Sequence, residues 1–237
     1  MEVAELWRYP VKSLQGERLT TVDVAPAGLS GDRQWALFDV TTGYGLTARR
    51  LPDLLFLSGR LRPDGGAEVV MPNGSVTSDD AVLSAWLGRP VTLRAAADAP
   101  GERLYENPAE VGEEAEYDWD AFSGARGAFH DSSRTRVSLV STGTLGTWDR
   151  RRFRANVVLG GEGEDALVGQ RVRLGGCELD VVKRVDRCVM VTRPQPGGIG
   201  RDNGVLKTIH RERAGCLAIG ALVARPGTVA VGDELTA

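Results

Sequence analysis

Short segments rich in alternating or β-branched residues, separated by glycine and proline, recur along most of this 237-residue chain. Segments of this length and composition are typical of β-strands, and the glycines and prolines between them are typical of turns. They lie at residues 3–9, 18–24, 34–38, 54–61, 67–71, 136–140, 155–159, 172–174, 178–182, 188–192, 218–223 and 234–235. The pattern predicts a mainly β fold.

Two segments depart from the strand pattern and have helical spacing. Residues 78–88 combine a Ser or Asp cap, apolar residues at helical spacing and a terminal glycine, and residues 142–152 form a second predicted helix. Residues 96–133 contain proline, glycine and many acids without sustained periodicity, which indicates a surface loop or a crossing between two units. We therefore predict two β-rich domains with few helices, at 1–95 and 134–237, joined by a connecting loop region at 96–133.

Composition limits the cellular setting and the class of partner. The sequence is 42% hydrophobic, yet it contains no run of about 18 apolar residues, the length that a membrane-spanning helix needs. The basic start of a secretion signal is also missing. Three cysteines are too few and too scattered for a disulfide framework. A net charge of -3 gives no electrostatic reason to expect nucleic-acid binding. We expect a cytoplasmic protein that binds neither membrane nor nucleic acid.

Charge is nevertheless unevenly distributed along the chain. Residues 182–213 hold eight basic and three acidic residues, a balance of +5, whereas residues 102–120 hold eight acidic residues and Arg103, a balance of -7. Each run is either a solvated face or, for the basic run, the surroundings of a small anionic ligand. Within the basic run, glycines at 197, 198, 200 and 204 form a flexible loop or an anion-binding nest framed by Arg193, Arg201 and Lys207.

Common catalytic motifs give little support to other enzyme classes. The two histidines, His130 and His210, are far apart in sequence, and the cysteines lack the spacing of a zinc site. The sequence contains neither a Walker A motif, nor a dinucleotide fingerprint, nor a nucleophile elbow. Among the cysteines, Cys188 has arginines on both sides, which favour a thiolate, whereas Cys177 and Cys216 are in mainly glycine and apolar surroundings. Cys188 is either a small buried side chain or a soft metal ligand.

Five segments, in this order, resemble the MOSC family, named for the C-terminal domain of molybdenum-cofactor sulfurases, and especially its branch that contains the amidoxime-reducing component. A typical ending over residues 226–233 follows them, and Ala155 and Gly220 depart from the family pattern. The five segments are Tyr9-Pro10-Val11-Lys12-Ser13, Gly28-Leu29-Ser30-Gly31-Asp32-Arg33-Gln34-Trp35, Leu46-Thr47-Ala48-Arg49, Phe153-Arg154-Ala155-Asn156-Val157-Val158, and the stretch from Arg187-Cys188 to Leu206-Lys207-Thr208.

The resemblance implies a MOSC N-terminal β-domain, a MOSC β-barrel domain and a bound molybdenum cofactor. Cys188 matches the cysteine that supplies a thiolate to molybdenum, beside the two sulfurs of the pterin dithiolene. Further positions correspond to residues that hold the pterin and its phosphate in similar proteins. They are Lys12, Ser13, Arg33, Thr135, Arg154, Arg187 and Lys207.

Three functions follow from the resemblance. The first is reduction of N-hydroxylated small molecules, with electrons from a separate donor protein, because the chain has no cysteine set for an iron-sulfur cluster. Asp32 and Asp186 are both candidates for proton delivery in that reaction. The second function is sulfur transfer through a persulfide on Cys188. The third is transport of the cofactor without turnover.

Overall fold

The structure is a computed structural model that describes residues 1–98, 104–108, 119–123 and 127–237. Three α-helices occur in this part of the chain: α1 (Asp80–Leu87), α2 (Thr142–Leu145) and α3 (Asn203–Arg213). The strands are β1 (Val3–Arg8), β2 (Glu17–Leu19), β3 (Thr21–Ala25), β4 (Gly28–Leu29), β5 (Trp35–Asp39), β6 (Ser58–Leu61), β7 (Ala67–Val70), β8 (Val76–Thr77), β9 (Val91–Ala95), β10 (Leu104–Pro108), β11 (Trp119–Ser123), β12 (Val137–Ser141), β13 (Val157–Leu159), β14 (Arg171–Leu174), β15 (Cys177–Asp186), β16 (Cys216–Arg225), β17 (Gly227–Ala230) and β18 (Leu235–Thr236). The prediction of a mainly β fold with few helices is confirmed.

The largest sheet has eight strands, curls on itself and combines both halves of the chain. Its order is β18-β14-β15-β16-β12-β13-β1-β2, and all neighbours are antiparallel except β12 and β13. Leu6 of β1 pairs with Val157 of β13, so the beginning of the chain extends the sheet built by its second half. A three-stranded sheet, β17-β3-β4, joins the two halves again.

The period of two along the strands explains the main core. In β14 and β3, buried and exposed residues alternate, so that one face of each strand packs inward. The apolar cluster that results draws on the beginning, middle and end of the chain. Its fully or nearly fully buried members include Val3, Leu6, Val24, Leu139, Val157, Leu174, Leu179, Ile219, Val229 and Leu235.

A second core lies among the smaller sheets, β5-β9 and β6-β7-β8, against α1. The predicted helix at 78–88 is confirmed as α1, with Asp79 as its N-cap and Gly88 in the left-handed region at its C-cap. The predicted strand at 54–61 is only half right, because Pro52–Phe56 is a 3-10 helix and the strand begins at Ser58. Leu54 and Leu55 are both fully buried, which a helical turn allows and an alternating strand does not.

Two further predictions on secondary structure are wrong. The helix predicted over 142–152 is divided into α2 and a 3-10 turn at Arg150–Arg152, because Gly146 takes a φ of 55° and a ψ of -121° that no α-helix continues. The strand predicted over 188–192 is a 3-10 helix, Val189–Thr192. Its β-branched residues favoured a strand, but strand pairing ends at Asp186, and Val191 and Thr192 are both buried.

Helix α3 was not predicted, although it is the longest helix in the described ranges. Its buried residues are Val205 and Ile209, four residues apart, and Leu206 packs against the same core while partly buried. Gly204 in the first turn weakens the helical pattern. Two features of the sequence were available to indicate this helix. One is the N-cap Asp202, which accepts a hydrogen bond from the Gly204 amide at 2.8 Å, and the other is the basic last turn.

The connecting region predicted at 96–133 contains β10 and β11, which pair antiparallel. Most of its acidic run, at 102–120, lies outside the described residues. Whether 1–95 and 134–237 are separate domains stays a prediction. Within the described part of the chain, every helix is too short or too polar to cross a membrane.

Candidate functional site

A cavity of about 270 Å³ lies where the two halves of the chain meet. Among the described residues, its walls are formed by Arg33, by the segment 130–138, by residues 152–156 and by the segment 183–191. Five side chains that the family resemblance assigned to the cofactor line it together. They are Arg33, Thr135, Arg154, Arg187 and Cys188.

Cys188 lies where β15 leaves the large sheet. The pairing of β15 with β16 ends at Asp186 opposite Cys216, and the chain then turns into the 3-10 helix that starts at Val189. Cys188 is extended and precedes this helix, and its carbonyl accepts a hydrogen bond from the Val191 amide at 3.2 Å. Its thiol is half-buried at the cavity wall.

The other two cysteines lie elsewhere. Cys177 is completely buried, its Sγ lies 3.2 Å from the Leu174 carbonyl, and burial raises the pKa of its thiol to about 11. Burial and the hydrogen bond of its Sγ to the Asp186 carboxylate, at 3.5 Å, raise the pKa of the Cys216 thiol. Neither cysteine lines the cavity. Cys188 is therefore the thiol placed to bind a ligand there.

Arg187 holds an unused hydrogen-bond donor at the cavity. Its Nε donates to the Leu217 carbonyl at 2.7 Å and its Nη1 donates to the Phe153 carbonyl at 3.0 Å. Its Nη2 is buried and has no hydrogen-bond partner among the residues that the structure describes. Burial lowers the pKa of this guanidinium to about 10, so it remains positively charged at neutral pH. A buried charged donor without a partner is costly, and an anionic ligand would satisfy it.

Arg33 and Arg154 bring two further positive charges to the cavity, and both lie close to the ring of Tyr9. Their guanidinium carbons lie 5.2 Å and 4.5 Å from the centre of the buried Tyr9 ring. Arg33 pairs with the fully buried carboxylate of Asp32, whereas Arg154 donates to the Leu14 carbonyl. Burial, and then the charge of Arg33, lower the pKa of Arg154 to about 10. Both arginines therefore carry their charge at the cavity.

The backbone is strained at Arg33, at Arg154 and at Ser13. Five residues other than glycine have a positive φ in the described ranges, and three of them are Ser13 at 68°, Arg33 at 51° and Arg154 at 53°. This conformation costs energy for residues with a side chain and persists where the surroundings impose it, often at functional sites. The strain supports a binding role for this corner of the molecule.

Lys12 lies behind the cavity wall. Its side chain is buried, its ammonium donates to the Phe129 carbonyl at 3.2 Å, and it forms an ion pair with Asp131, which lines the cavity. Ser13 does not line the cavity, because its hydroxyl accepts a hydrogen bond from the Ala48 amide at 3.0 Å. Lys207 lies exposed on α3 and is likewise absent from the lining.

Thr135 reaches the cavity because residue 220 is a glycine. A Cβ at Gly220 would lie 2.6 Å from the Thr135 Oγ1, which is closer than a carbon and an oxygen that are not bonded can approach. The departure from the family pattern at this position therefore provides the space that Thr135 occupies.

The glycine loop at 197–204 is held by two arginines. Arg151 donates to the Pro196 carbonyl and Arg152 donates to the Gly200 carbonyl, at 2.9 Å each.

The structure adds lining residues that the sequence did not single out. His130 is buried, its Nε2 lies 3.1 Å from the Ala27 carbonyl, and burial lowers its pKa to about 4, so the imidazole is neutral near pH 7. Arg136, Arg152 and Lys183 also line the cavity. The sequence could have indicated these three residues as lining candidates, because they lie close to Thr135, Arg154 and Arg187 along the chain.

The two candidate proton donors are separated. Asp32 is fully buried, accepts a hydrogen bond from the Tyr9 amide at 2.8 Å and does not line the cavity, whereas Asp186 does. The described residues contain no group of three His, Cys, Asp or Glu side chains that could hold a metal ion.

Comparison with known proteins identifies both parts of the chain. Residues 1–85 match the model of the MOSC N-terminal beta barrel domain, and residues 123–236 match the model of the MOSC domain. Among solved structures, the YUAD protein from Bacillus subtilis is 14% identical with a TM-score of 0.44, over 99% of this chain and 93% of its own. YiiM from Geobacillus stearothermophilus is 14% identical with a TM-score of 0.35, over 56% and 71%. No curated protein matches the sequence.

Proposed function

The chain is a MOSC-domain protein with a MOSC N-terminal beta barrel domain, and we propose that it is a molybdenum-cofactor-dependent reductase of N-hydroxylated small molecules. The family includes molybdenum-cofactor-binding and sulfur-carrier proteins. The observation that carries the proposal is the meeting, in one cavity, of the Cys188 thiol with the unpartnered Nη2 of Arg187 and the strained cations Arg33 and Arg154.

The residues present fit such a cofactor. A soft thiolate suits molybdenum, and one protein thiolate is enough where a dithiolene supplies two more sulfurs. Arginine forks and a threonine hydroxyl suit a phosphate, and Thr135 and Arg154 both line the cavity. The buried donor on Arg187, which lacks a partner in the described part of the chain, would be satisfied once an anionic ligand fills the cavity.

Each part of the lining then has a role. The bound cofactor supplies two-electron chemistry, by which an N–O bond is cleaved with two protons and two electrons and the oxygen leaves as water. Cys188 would hold the metal, and Arg33, Arg154 and Arg187 would hold the anionic parts of the cofactor. Apolar side chains of the cavity, such as Val185, would exclude water from it. The electrons would come from a separate donor protein.

Metal analysis tests the proposal. The protein is purified from cells that synthesise the cofactor and from a cofactor-deficient strain, together with Cys188→Ala and the control Cys216→Ala. We expect about one molybdenum per chain for the unmodified protein and for Cys216→Ala, because a single suitable thiol lines the cavity. Cys188→Ala is expected to lose most of the metal. Metal contents equal to those from the deficient strain would exclude the proposed function.

Two alternatives use the same cavity. A Cys188 persulfide would make the chain a sulfur carrier, since the arginines beside the thiol stabilise a persulfide anion as well as a thiolate. Intact-protein mass spectrometry would then show one additional sulfur, absent in Cys188→Ala. A non-catalytic carrier would instead contain the cofactor but fail to reduce an N-hydroxylated compound with an artificial electron donor.

A further inference from the structure

The Asp131 carboxylate lines the cavity and is the counter-ion of a buried cation, Lys12. It contacts the Lys12 ammonium, whose side chain is 4% exposed, while the Asp131 side chain is 83% exposed and lines the cavity. Lys12 is held in place on its other sides, since it donates to the Phe129 carbonyl at 3.2 Å and lies 4.8 Å from the centre of the Tyr105 ring. The cation is therefore fixed, whereas the carboxylate is accessible.

Two more cations act on the same carboxylate. Desolvation raises the pKa of the Asp131 carboxyl. The positive charges of Lys12, Arg33 and Arg154 outweigh this effect and hold the pKa well below its usual range. All three cations are among the residues that the family resemblance assigns to the pterin and its phosphate. Asp131 therefore lies where their positive charges converge.

We propose that Asp131 is an internal, displaceable anion, which occupies the site of a phosphate group and must move away when a phosphate-bearing ligand binds. The inference rests on the proposed function, because it takes the cofactor's phosphate as the natural ligand. A phosphate offers more charge and more acceptor oxygens than a carboxylate, and so it competes well for three cations. The Asp131 side chain is mostly exposed and can turn toward solvent, and the buried Lys12 keeps an anionic partner because the phosphate replaces the carboxylate.

Neutralising Asp131 tests this competition directly. Binding of inorganic phosphate to the cofactor-free protein is measured by calorimetry at low ionic strength for the unmodified chain, Asp131→Asn and Asp131→Ala. We expect both variants to bind phosphate about three- to tenfold more tightly, because no carboxylate at position 131 competes for the buried Lys12. Asp180→Asn is the matched control, as Asp180 is also an exposed carboxylate paired with an arginine, Arg171, but lies outside the cavity. Its affinity for phosphate is expected to equal that of the unmodified chain.

A second substitution tests whether the gain in phosphate affinity depends on Lys12. Adding Lys12→Met to Asp131→Asn is expected to remove the gain in affinity, because Lys12 is the cation that Asp131 contacts. Unchanged or weaker phosphate binding in both Asp131 variants, or no measurable binding in any variant, would overturn the inference. The molybdenum content of the same proteins, when made in cofactor-producing cells, reports separately on the proposed function. Tighter phosphate binding without molybdenum would exclude that function and leave the displaceable anion in place.

Discussion

The three cysteines of the chain differ in burial and in the polar groups that they meet, and their substitutions should differ accordingly. Cys188→Ala is expected to abolish reduction of an N-hydroxylated substrate, because it removes the thiol at the cavity wall. Cys177→Ala and Cys216→Ala should retain activity and lower the free energy of unfolding by about 1 kcal/mol at most. Turnover with an artificial electron donor and urea denaturation provide the measurements. Full activity in Cys188→Ala, or loss only in Cys216→Ala, would place the reactive thiol elsewhere.

His130 should make stability depend on pH. Burial lowers its pKa from 6.5 to about 4. Between these values the unfolded chain binds a proton that the folded chain does not, so the stabilisation is present above pH 6.5 and is lost as the pH falls toward 4. The expected loss for the unmodified protein is on the order of 3–4 kcal/mol, from about 1.4 kcal/mol per pKa unit.

Urea unfolding at several values in this pH range checks the prediction. His130→Gln should lack this component of the pH dependence, while His210→Gln, which alters an exposed residue of α3, should retain it. Carboxylates contribute equally to all three proteins, so the difference between the curves isolates His130. Parallel curves for His130→Gln and the unmodified chain would contradict the assigned burial effect.

At the scale of elements, the pairing of β12 with β16 positions the cavity wall through Gly220. Gly220→Ala is expected to displace Thr135, whose Oγ1 lies 2.6 Å from the position of the new methyl group. We expect a loss of stability of about 1–3 kcal/mol from overpacking, together with weaker binding of inorganic phosphate. Thermal unfolding and calorimetry measure the two effects. Gly200→Ala is the control, because a Cβ there meets no atom of the described residues within 4 Å. Equal effects of both substitutions would refute the steric argument.

At the scale of the whole molecule, the two halves of the chain share their sheets. Strand β13 pairs with β1, β17 pairs with β3, and a bridge joins Glu2 to Glu234. A fragment of residues 127–237 alone would leave these strand edges unpaired and expose the main core. We expect such a fragment to unfold without a cooperative transition, and co-expression with residues 1–126 to restore one. Circular dichroism during thermal denaturation is the measurement. A sharp transition for the fragment alone would show that the second half folds independently.

Local patterns in the sequence were sufficient for most strands and for α1. Alternation in segments such as β14 and the Asp79 and Gly88 caps of α1 depend on neighbouring residues alone, so they are visible without the fold. Patterns were misleading where burial was decided by distant residues. The segment Val189–Thr192 has strand composition, yet it turns into a 3-10 helix because β16 offers no further partner beyond Cys216.

The sequence by itself determined the mainly β class, the family motifs and the candidate residues, because strand periodicity and motif order are properties of the chain. Only the tertiary structure decided which candidates share a cavity: Arg33, Thr135, Arg154, Arg187 and Cys188 line it, whereas Ser13 and Lys207 do not. It also brought Asp131 to Lys12, 119 positions away, and left the Nη2 of Arg187 without a hydrogen-bond partner in the described ranges. Convergence of side chains depends on strand pairing between distant segments, and hydrogen-bond satisfaction depends on every neighbour in space, so neither can be read from local sequence.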